Sequence, residues 1–556
     1  MVVGRIPRGT FSGNMNTRTQ RIDTHLLAHG RWLLLAWGFL FCRASVGWCA
    51  EAEPAKSGVA PRAALPARLA AYLDEPRFSA AAWGVKVVSL ETGKMLFEHQ
   101  SHKLMKPASN AKLYTGALAL DRLGPDFRIK TSLYAAARPD ANGILKSDLI
   151  IFGRGDPSFA ARFNNGDYEK SLSPLVEALA GAGVKRIDGD LVGDETYFRG
   201  ARFGAGWTWD DLQYYYGAEV SALTVEDNVI DLVFKPALSQ DAPCQIIAKP
   251  GSDFVSFINR TKTSARGSPH SIEIFRPLGQ NTAYVTGHLP LDASNHTGAV
   301  AVHEPARFFL SRYREALAKR GILVSGNPRT VGWLDAEASK IDLSEWVELA
   351  SAESRPLREI LAKMLKPSQN LYAQLLLLQV GAAFEPGSRR SGESGKASEP
   401  LTRRLSEASP PPFAVQKTTE VLGIAEMKKF LAHAGVPASE VLLDEGSGLS
   451  RSCLVTPHAT VELLRFMHRH RDAAVFRDCL PVAGVDGSLR NRMKNTKAVS
   501  NLRAKTGHIR YVDSLSGYVT SGAGESLAFS IMLNNYSNPA RSGREEVDAL
   551  AVMLSE

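Results

Sequence analysis

Ser109 and Lys112 stand three residues apart at the head of an apolar helical run, and this pair constrains the chain more than any other string in it. Pro107 precedes the run, Leu113, Ala117 and Leu120 recur at helical spacing, and Gly124 supplies a stop, which predicts a helix over 109–123. Residues at i and i+3 share a helix face, so the amine can lie beside the hydroxyl. A serine hydroxyl is a weak nucleophile until a base takes its proton. A lysine serves as that base only when burial or a neighbouring cation lowers its pKa towards neutrality. Taken alone, Ser-x-x-Lys is more often a solvated helix face. No other lysine in the chain has serine three residues before it. Partner residues downstream decide the matter.

The surroundings of the pair are α+β in character. Residues 82–90 and 94–99 alternate around Glu91-Thr-Gly93, a hairpin signal that leads into the helix. From about Phe127 to Trp346 short apolar runs (129–135, 148–152, 189–192, 229–234) are separated by turn dipeptides, which predicts a β-rich stretch. Gly153-Arg-Gly-Asp-Pro157 reads as a tight turn after a strand rather than an adhesion motif. The aromatic strings Gly206-Trp-Thr-Trp-Asp-Asp211 and Tyr214-Tyr-Tyr216 are either ordinary packing or a platform beside a cleft. Helices are expected over 355–365, 371–380, 418–434, 456–469 and 545–554, and antiparallel strands over 501–506, 514–520 and 527–534. Residues 385–412 are rich in Ser, Gly, Arg, Glu and Pro and read as a disordered or loose surface loop.

A chain of 556 residues is too long for one ordinary core, and length alone suggests about three or four domains. Arg18, Arg21 and Arg31 precede the apolar run 32–41, followed by small residues and Ala50-Glu51-Ala52, the layout of an export signal over residues 1–52. Met15 offers a second start. That run is too short to span a bilayer comfortably. Of the formal charge of +9, this leader holds six arginines against Asp23 and Glu51, so about five net positive charges remain on the rest. No dense basic stripe argues for nucleic acid, whereas peripheral association with an anionic surface is compatible with the balance. Cys244, Cys453 and Cys479 lie beyond the leader and make no disulfide framework; one pair plus a free thiol fits the count. There is no C-x-x-C. His468 and His470 fall on different faces of a helix and read as solvated, so neither a metal nor a cofactor is expected.

Two further strings join the first. Ser368-Gln-Asn370 puts a hydroxyl and an amide at the start of a helix, where both can face a cleft. Lys505-Thr-Gly507 lies on an expected strand, with glycine allowing a ligand close to the backbone and Lys and Thr offering charge and a hydrogen bond to a carboxylate. Ser-x-Asn recurs at Ser12 and Ser325 and is weak alone, while Lys-Thr-Gly occurs once.

The order Ser-x-x-Lys, Ser-x-Asn, Lys-Thr-Gly resembles the signature of the penicillin-recognising serine enzymes. The finer resemblance is to the class C D-alanyl-D-alanine carboxypeptidase/endopeptidase family of penicillin-binding protein 4 type. It is carried by the separation of 259 positions from Ser109 to Ser368, by Gly189-Asp-Leu-Val-Gly-Asp194 and Tyr216-Gly-Ala-Glu-Val-Ser-Ala222, and by Gly446-Ser-Gly-Leu-Ser-Arg451 and Leu480-Pro-Val-Ala-Gly484. Gln369 stands where that family usually has aspartate, and the 385–412 segment is longer than the family's loop.

The resemblance implies an α/β (α+β) fold: a serine β-lactamase/D,D-peptidase-like domain over 65–127 and 346–556. It also implies a large β-rich insert over 128–345, of two subdomains, between the first two motifs. It implies Ser109 as acylated nucleophile, Lys112 as proton acceptor, Ser368 as proton relay and Asn370 as a group that orients Lys112 and holds the substrate amide. Lys505 would lower the Lys112 pKa and attract a terminal carboxylate, with Thr506 binding it. Gly507 would give access to the strand, and the backbone N–H groups of Ser109 and His508 would form the oxyanion hole. Peptidoglycan stem peptides and cross-links would be the substrates, β-lactams covalent inhibitors, and the bacterial periplasm the location. A β-lactamase or esterase of the same fold, or a non-catalytic wall-binding protein, are the alternatives; no Glu-x-x-x-Asn follows Asn370, which counts against a class A β-lactamase. Oligomeric state is not set by the sequence.

Overall fold

The computed structural model describes residues 64–251, 253–335, 342–384 and 417–556. The leader over 1–52 and the 385–412 segment lie outside the described residues.

A five-stranded antiparallel sheet supports the site. Its order is Arg503–Ile509, Val512–Thr520, Ser526–Asn534, Ala82–Ser89 and Met95–His99, so the strand with Lys505 forms an edge. Helices cover both faces, which is why the central strands are buried along nearly their whole length. On one face lie Leu65–Leu73 and Gly543–Ser555, packing Leu69, Leu550 and Leu554 against Val85, Val87, Phe529 and Ile531. On the other lies a helical layer of Ala111–Leu123, Leu357–Leu365, Asn370–Ala383, Thr419–His433 and Pro457–His468. Helix Asn370–Ala383 is mostly apolar and buried on every side, its Asn370, Gln374 and Gln379 included, because other elements enclose it.

Between the Ala111–Leu123 and Leu357–Leu365 helices, the chain builds the β-rich insert. A mixed sheet runs Pro328–Val331, Leu191–Asp194, Leu149–Phe152, Lys130–Ala135 and Val347–Glu353. Two three-stranded sheets, centred on Thr282–Pro290 and Val229–Lys235, share a separate hydrophobic core with it. That core also holds two helices, Ser173–Gly181 and Pro305–Lys319, which the turn spacing of this stretch concealed. Phe308, Phe309, Tyr313 and Leu317 fill the gap between sheets.

Several smaller expectations change. The 109–123 helix begins with a 3-10 turn, Ala108–Asn110, before the α-helix Ala111–Leu123. Residues 153–157 form an irregular segment anchored by the Gly155 N–H on the Ala222 carbonyl at 2.7 Å; Asp156 within it is buried, as no adhesion motif would be. His470 is not solvated, because its ring packs inward and bonds Asp121 at 3.2 Å. Cys244, Cys453 and Cys479 are free and buried. Among the described residues no helix is long and apolar enough to cross a membrane.

Candidate active site

The nucleophile turn is fixed from three sides. Asn110 donates to Ser516 Oγ at 2.8 Å, Ser514 Oγ donates to the Pro107 carbonyl at 2.7 Å, and Thr115 donates to the Gly446 carbonyl at 2.7 Å. Ala108, just before Ser109, adopts φ 46°, and Ser368 adopts φ 66°. Both lie in the left-handed region that non-glycine residues rarely occupy, so packing holds strain at two of the three motifs. Gly507 carries no side chain because a Cβ there would collide with the Pro107 carbonyl and Ser514 Oγ and come within 3.1 Å of Ser109 N. The Lys505 strand can therefore lie directly against the nucleophile turn.

All three strings meet in one cleft of about 560 Å³, lined by Ser109, Ser368, Asn370, Thr506, Gly507 and His508. Lys112 Nζ lies 2.9 Å from Ser109 Oγ, 2.6 Å from Asn370 Oδ1 and 2.7 Å from the Ser447 carbonyl. Two of these three neighbours are carbonyl-type oxygens that can only accept. A neutral amine has two N–H donors and one lone pair. With both donors on Asn370 and Ser447, the lone pair is left facing the Ser109 hydroxyl. This geometry suits proton abstraction.

Lys112 is wholly buried, and that burial pulls its pKa from the usual lysine range to about 7. The negative charge of Glu445 opposes the shift. Burial is thus the main cause of the shift. Lys505 is itself held well below its ordinary value, first by burial and then by the charges of Lys112 and Arg492. It donates to Ser368 Oγ at 2.8 Å and to the Thr506 carbonyl at 2.7 Å. Ser368 thus contacts Lys505. Thr506 Oγ1 pairs with Ser488 Oγ at 2.7 Å.

Asn370 Nδ2 donates to the Tyr216 carbonyl at 2.8 Å, so one of its donors serves the insert rather than a ligand. The His508 ring turns towards Asp513 Oδ1 at 2.7 Å. Asp210, Asp211, Tyr215 and Tyr216 reach the cleft rim from the insert, and Tyr214 stacks on Tyr216 with ring centres 5.3 Å apart. The aromatic string is accordingly a wall of the cleft.

Sequence reasoning missed Glu445. Its carboxylate accepts the N–H groups of Ser447 at 2.7 Å and Gly448 at 2.5 Å, curling the loop so that the Ser447 carbonyl faces Lys112. Gly448 at φ 78° packs against the Ala108 carbonyl, where no side chain fits. The string Gly446–Arg451 carried the signal, but a backbone carbonyl has no residue type to announce it.

A family model described as the D-Ala-D-Ala carboxypeptidase 3 (S13) family matches residues 65–409 and 414–556. The chain belongs to this family. It is a serine-type D,D-peptidase acting on D-Ala-D-Ala termini. A D-alanyl-D-alanine carboxypeptidase of Actinomadura sp. (strain R39) is 34% identical over 501 residues, covering 87% of this chain and 83% of that protein. The D-alanyl-D-alanine carboxypeptidase DacB of Haemophilus influenzae is 25% identical over 454 residues, covering 81% and 84%. Among solved structures, penicillin-binding protein 4 from Haemophilus influenzae superposes with a TM-score of 0.68 at 23% identity, covering 85% of this chain and 95% of that one. That likeness extends to the α+β fold with its β-rich insert.

Proposed function

We propose that Ser109 is the acylated nucleophile and Lys112 its base, and that the enzyme works on peptidoglycan stem peptides and D-Ala cross-links in the bacterial periplasm. The observation that carries this reading is the buried amine 2.9 Å from Ser109 Oγ with its other two hydrogen-bond partners restricted to accepting. Ser109 Oγ attacks the carbonyl between two D-alanines as Lys112 takes its proton. The C–N bond then breaks, Ser368 passes a proton to the departing amine, and water hydrolyses the ester to regenerate Ser109. Lys505, which donates to Ser368 Oγ, would steady that relay, and an arriving terminal carboxylate would favour its charged form and be drawn in by it.

Thr506 would bind that carboxylate, with Gly507 opening the strand edge. The N–H groups of Ser109 and His508 would stabilise the tetrahedral oxyanion, worth about 3 kcal/mol per donor. Asn370 orients Lys112 and, with its remaining N–H, reaches the substrate amide. Residues 65–127 and 346–556 would form the catalytic domain and 128–345 the insert, behind an export leader over 1–52. β-Lactams, whose strained carbonyl occupies the same place as the scissile one, would acylate Ser109.

The test is covalent labelling with fluorescent penicillin alongside digestion of cross-linked muropeptides read by mass spectrometry. Ser109→Ala is expected to lose both the adduct and the peptidase products. An adduct that persists in Ser109→Ala would place the nucleophile elsewhere.

A further inference from the structure

Beyond the sheet edge opposite the Lys505 strand, three residues distant in sequence bring their side chains to one point. His102 follows the Met95–His99 strand, Glu440 ends the 3-10 turn Ala438–Glu440, and His458 lies in the first turn of helix Pro457–His468. His102 Nδ1 is 2.9 Å from one carboxylate oxygen of Glu440, and His458 Nδ1 is 2.9 Å from the other. The two imidazoles lie side by side with ring centres 4.3 Å apart. One donor atom from each residue falls within 4.8 Å of the others.

We propose that His102, Glu440 and His458 form a binding site for a divalent transition metal of the Zn²⁺ class, with the remaining coordination position open to solvent. Two imidazole nitrogens and one carboxylate oxygen suit Zn²⁺ and disfavour Ca²⁺ and Mg²⁺, which take oxygen ligands. Zn–N and Zn–O bonds of about 2.0–2.1 Å set tetrahedral donors roughly 3.4 Å apart. Each His–Glu spacing is already close to that. The remaining adjustment falls on His102, whose side chain is 61% exposed and free to swing.

The frame is built, not incidental. Thr456 Oγ1 donates to the Glu440 carboxylate, and the Thr456 N–H donates to the Glu440 carbonyl at 3.0 Å. The His458 N–H donates to the Ser101 carbonyl at 2.9 Å, tying the helix start to the loop bearing His102. Glu462 lies 4.0 Å from His458 Nε2, beyond hydrogen-bond distance but near enough for its charge to favour a proton on that nitrogen. Arg465 in turn holds Glu462. The sequence expectation of no metal rested on the lack of a C-x-x-C and on His468 and His470, whereas His102, Glu440 and His458 come from three separate stretches.

The site also has a mechanical position. Its loop runs from His102 through Met105, which is paired to Val455 in both directions at 2.9 Å, to Pro107 and Ser109. A bound ion would cross-link that approach to the helical layer without entering the cleft. It would raise stability by mass action and leave the acylation chemistry alone.

The experiment uses the untagged, chelator-treated chain and Zn²⁺ alone, by calorimetric titration and thermal melting. One equivalent of Zn²⁺ is expected to bind and to raise the Tm. His102→Ala, at an exposed position, is expected to fold, to take penicillin as before, and to bind Zn²⁺ at least about tenfold more weakly. Co²⁺ in the same site is expected to show the intense visible absorption of tetrahedral coordination, lost in His458→Ala. No stoichiometric binding, or binding unchanged in His102→Ala, would overturn the proposal and leave the trio as a hydrogen-bonded cluster only. Because penicillin labelling is read separately, failure here does not touch the assignment of Ser109.

Discussion

In the cleft, Lys112 and Lys505 are buried against hydroxyl, amide and carbonyl oxygens; in the insert, Arg162 and Arg202 rest against carboxylates. Arg202 lies 2.5 Å from Glu195 and 3.7 Å from Glu219, and Arg162 pairs with Asp227. The outcome differs in sign. Burial without an adjacent carboxylate pulls the lysines down, Lys112 to about 7, whereas the arginines are held above their ordinary value because nearby carboxylates outweigh desolvation. The insert uses charge to hold its loops and short turns together. The cleft instead withholds a counterion, so that an amine can be neutral at the pH where it must accept a proton.

The largest expected effect separates the two regions by activity. Lys112→Met removes the base and is expected to slow acylation by about a thousandfold, read as the second-order rate of penicillin labelling. A loss of less than about tenfold would make Lys112 a spectator. The next variant tunes the contrast. Glu445→Gln removes the one carboxylate whose charge favours protonated Lys112, so the Lys112 pKa should fall and the acid limb of the acylation rate should move to lower pH. An unmoved limb would mean that Glu445 acts only by shaping the loop. The smallest effect belongs to the insert. Arg202→Met leaves Glu195 and Glu219 buried without their guanidinium and is expected to cost about 2 kcal/mol, reduced from the fully buried case because Arg202 is partly exposed. Urea unfolding measures this, and the acylation rate should be unchanged.

What the sequence could reveal was set by the kind of group involved. Side chains that carry chemistry in short strings were legible, which is why Ser109, Lys112, Ser368, Asn370 and Lys505 could be named before any coordinates. Helices with a clean apolar stripe, such as Pro457–His468, were legible for the same reason. Backbone partners were not: the carbonyls of Ser447 and Tyr216 help fix Lys112 and Asn370, yet any residue could supply them. Helix Pro305–Lys319 was hidden because its neighbours are strands and turns and its opening Glu304 adopts φ 58°, outside any ordinary cap. His470 looked solvated because its helix ends before it and the chain folds back onto Asp121, a contact across 349 positions.

The central claim is that burial leaves the Lys112 amine substantially neutral near pH 7. It is tested most directly by an NMR titration of ¹³C-labelled lysine side chains, with the Lys112 signal assigned through Lys112→Arg. An inflection near pH 7 is expected for that signal, apart from the exposed lysines, and it should move downwards in Glu445→Gln. A Lys112 signal that titrates with the ordinary lysines, at about 10.4, would contradict it.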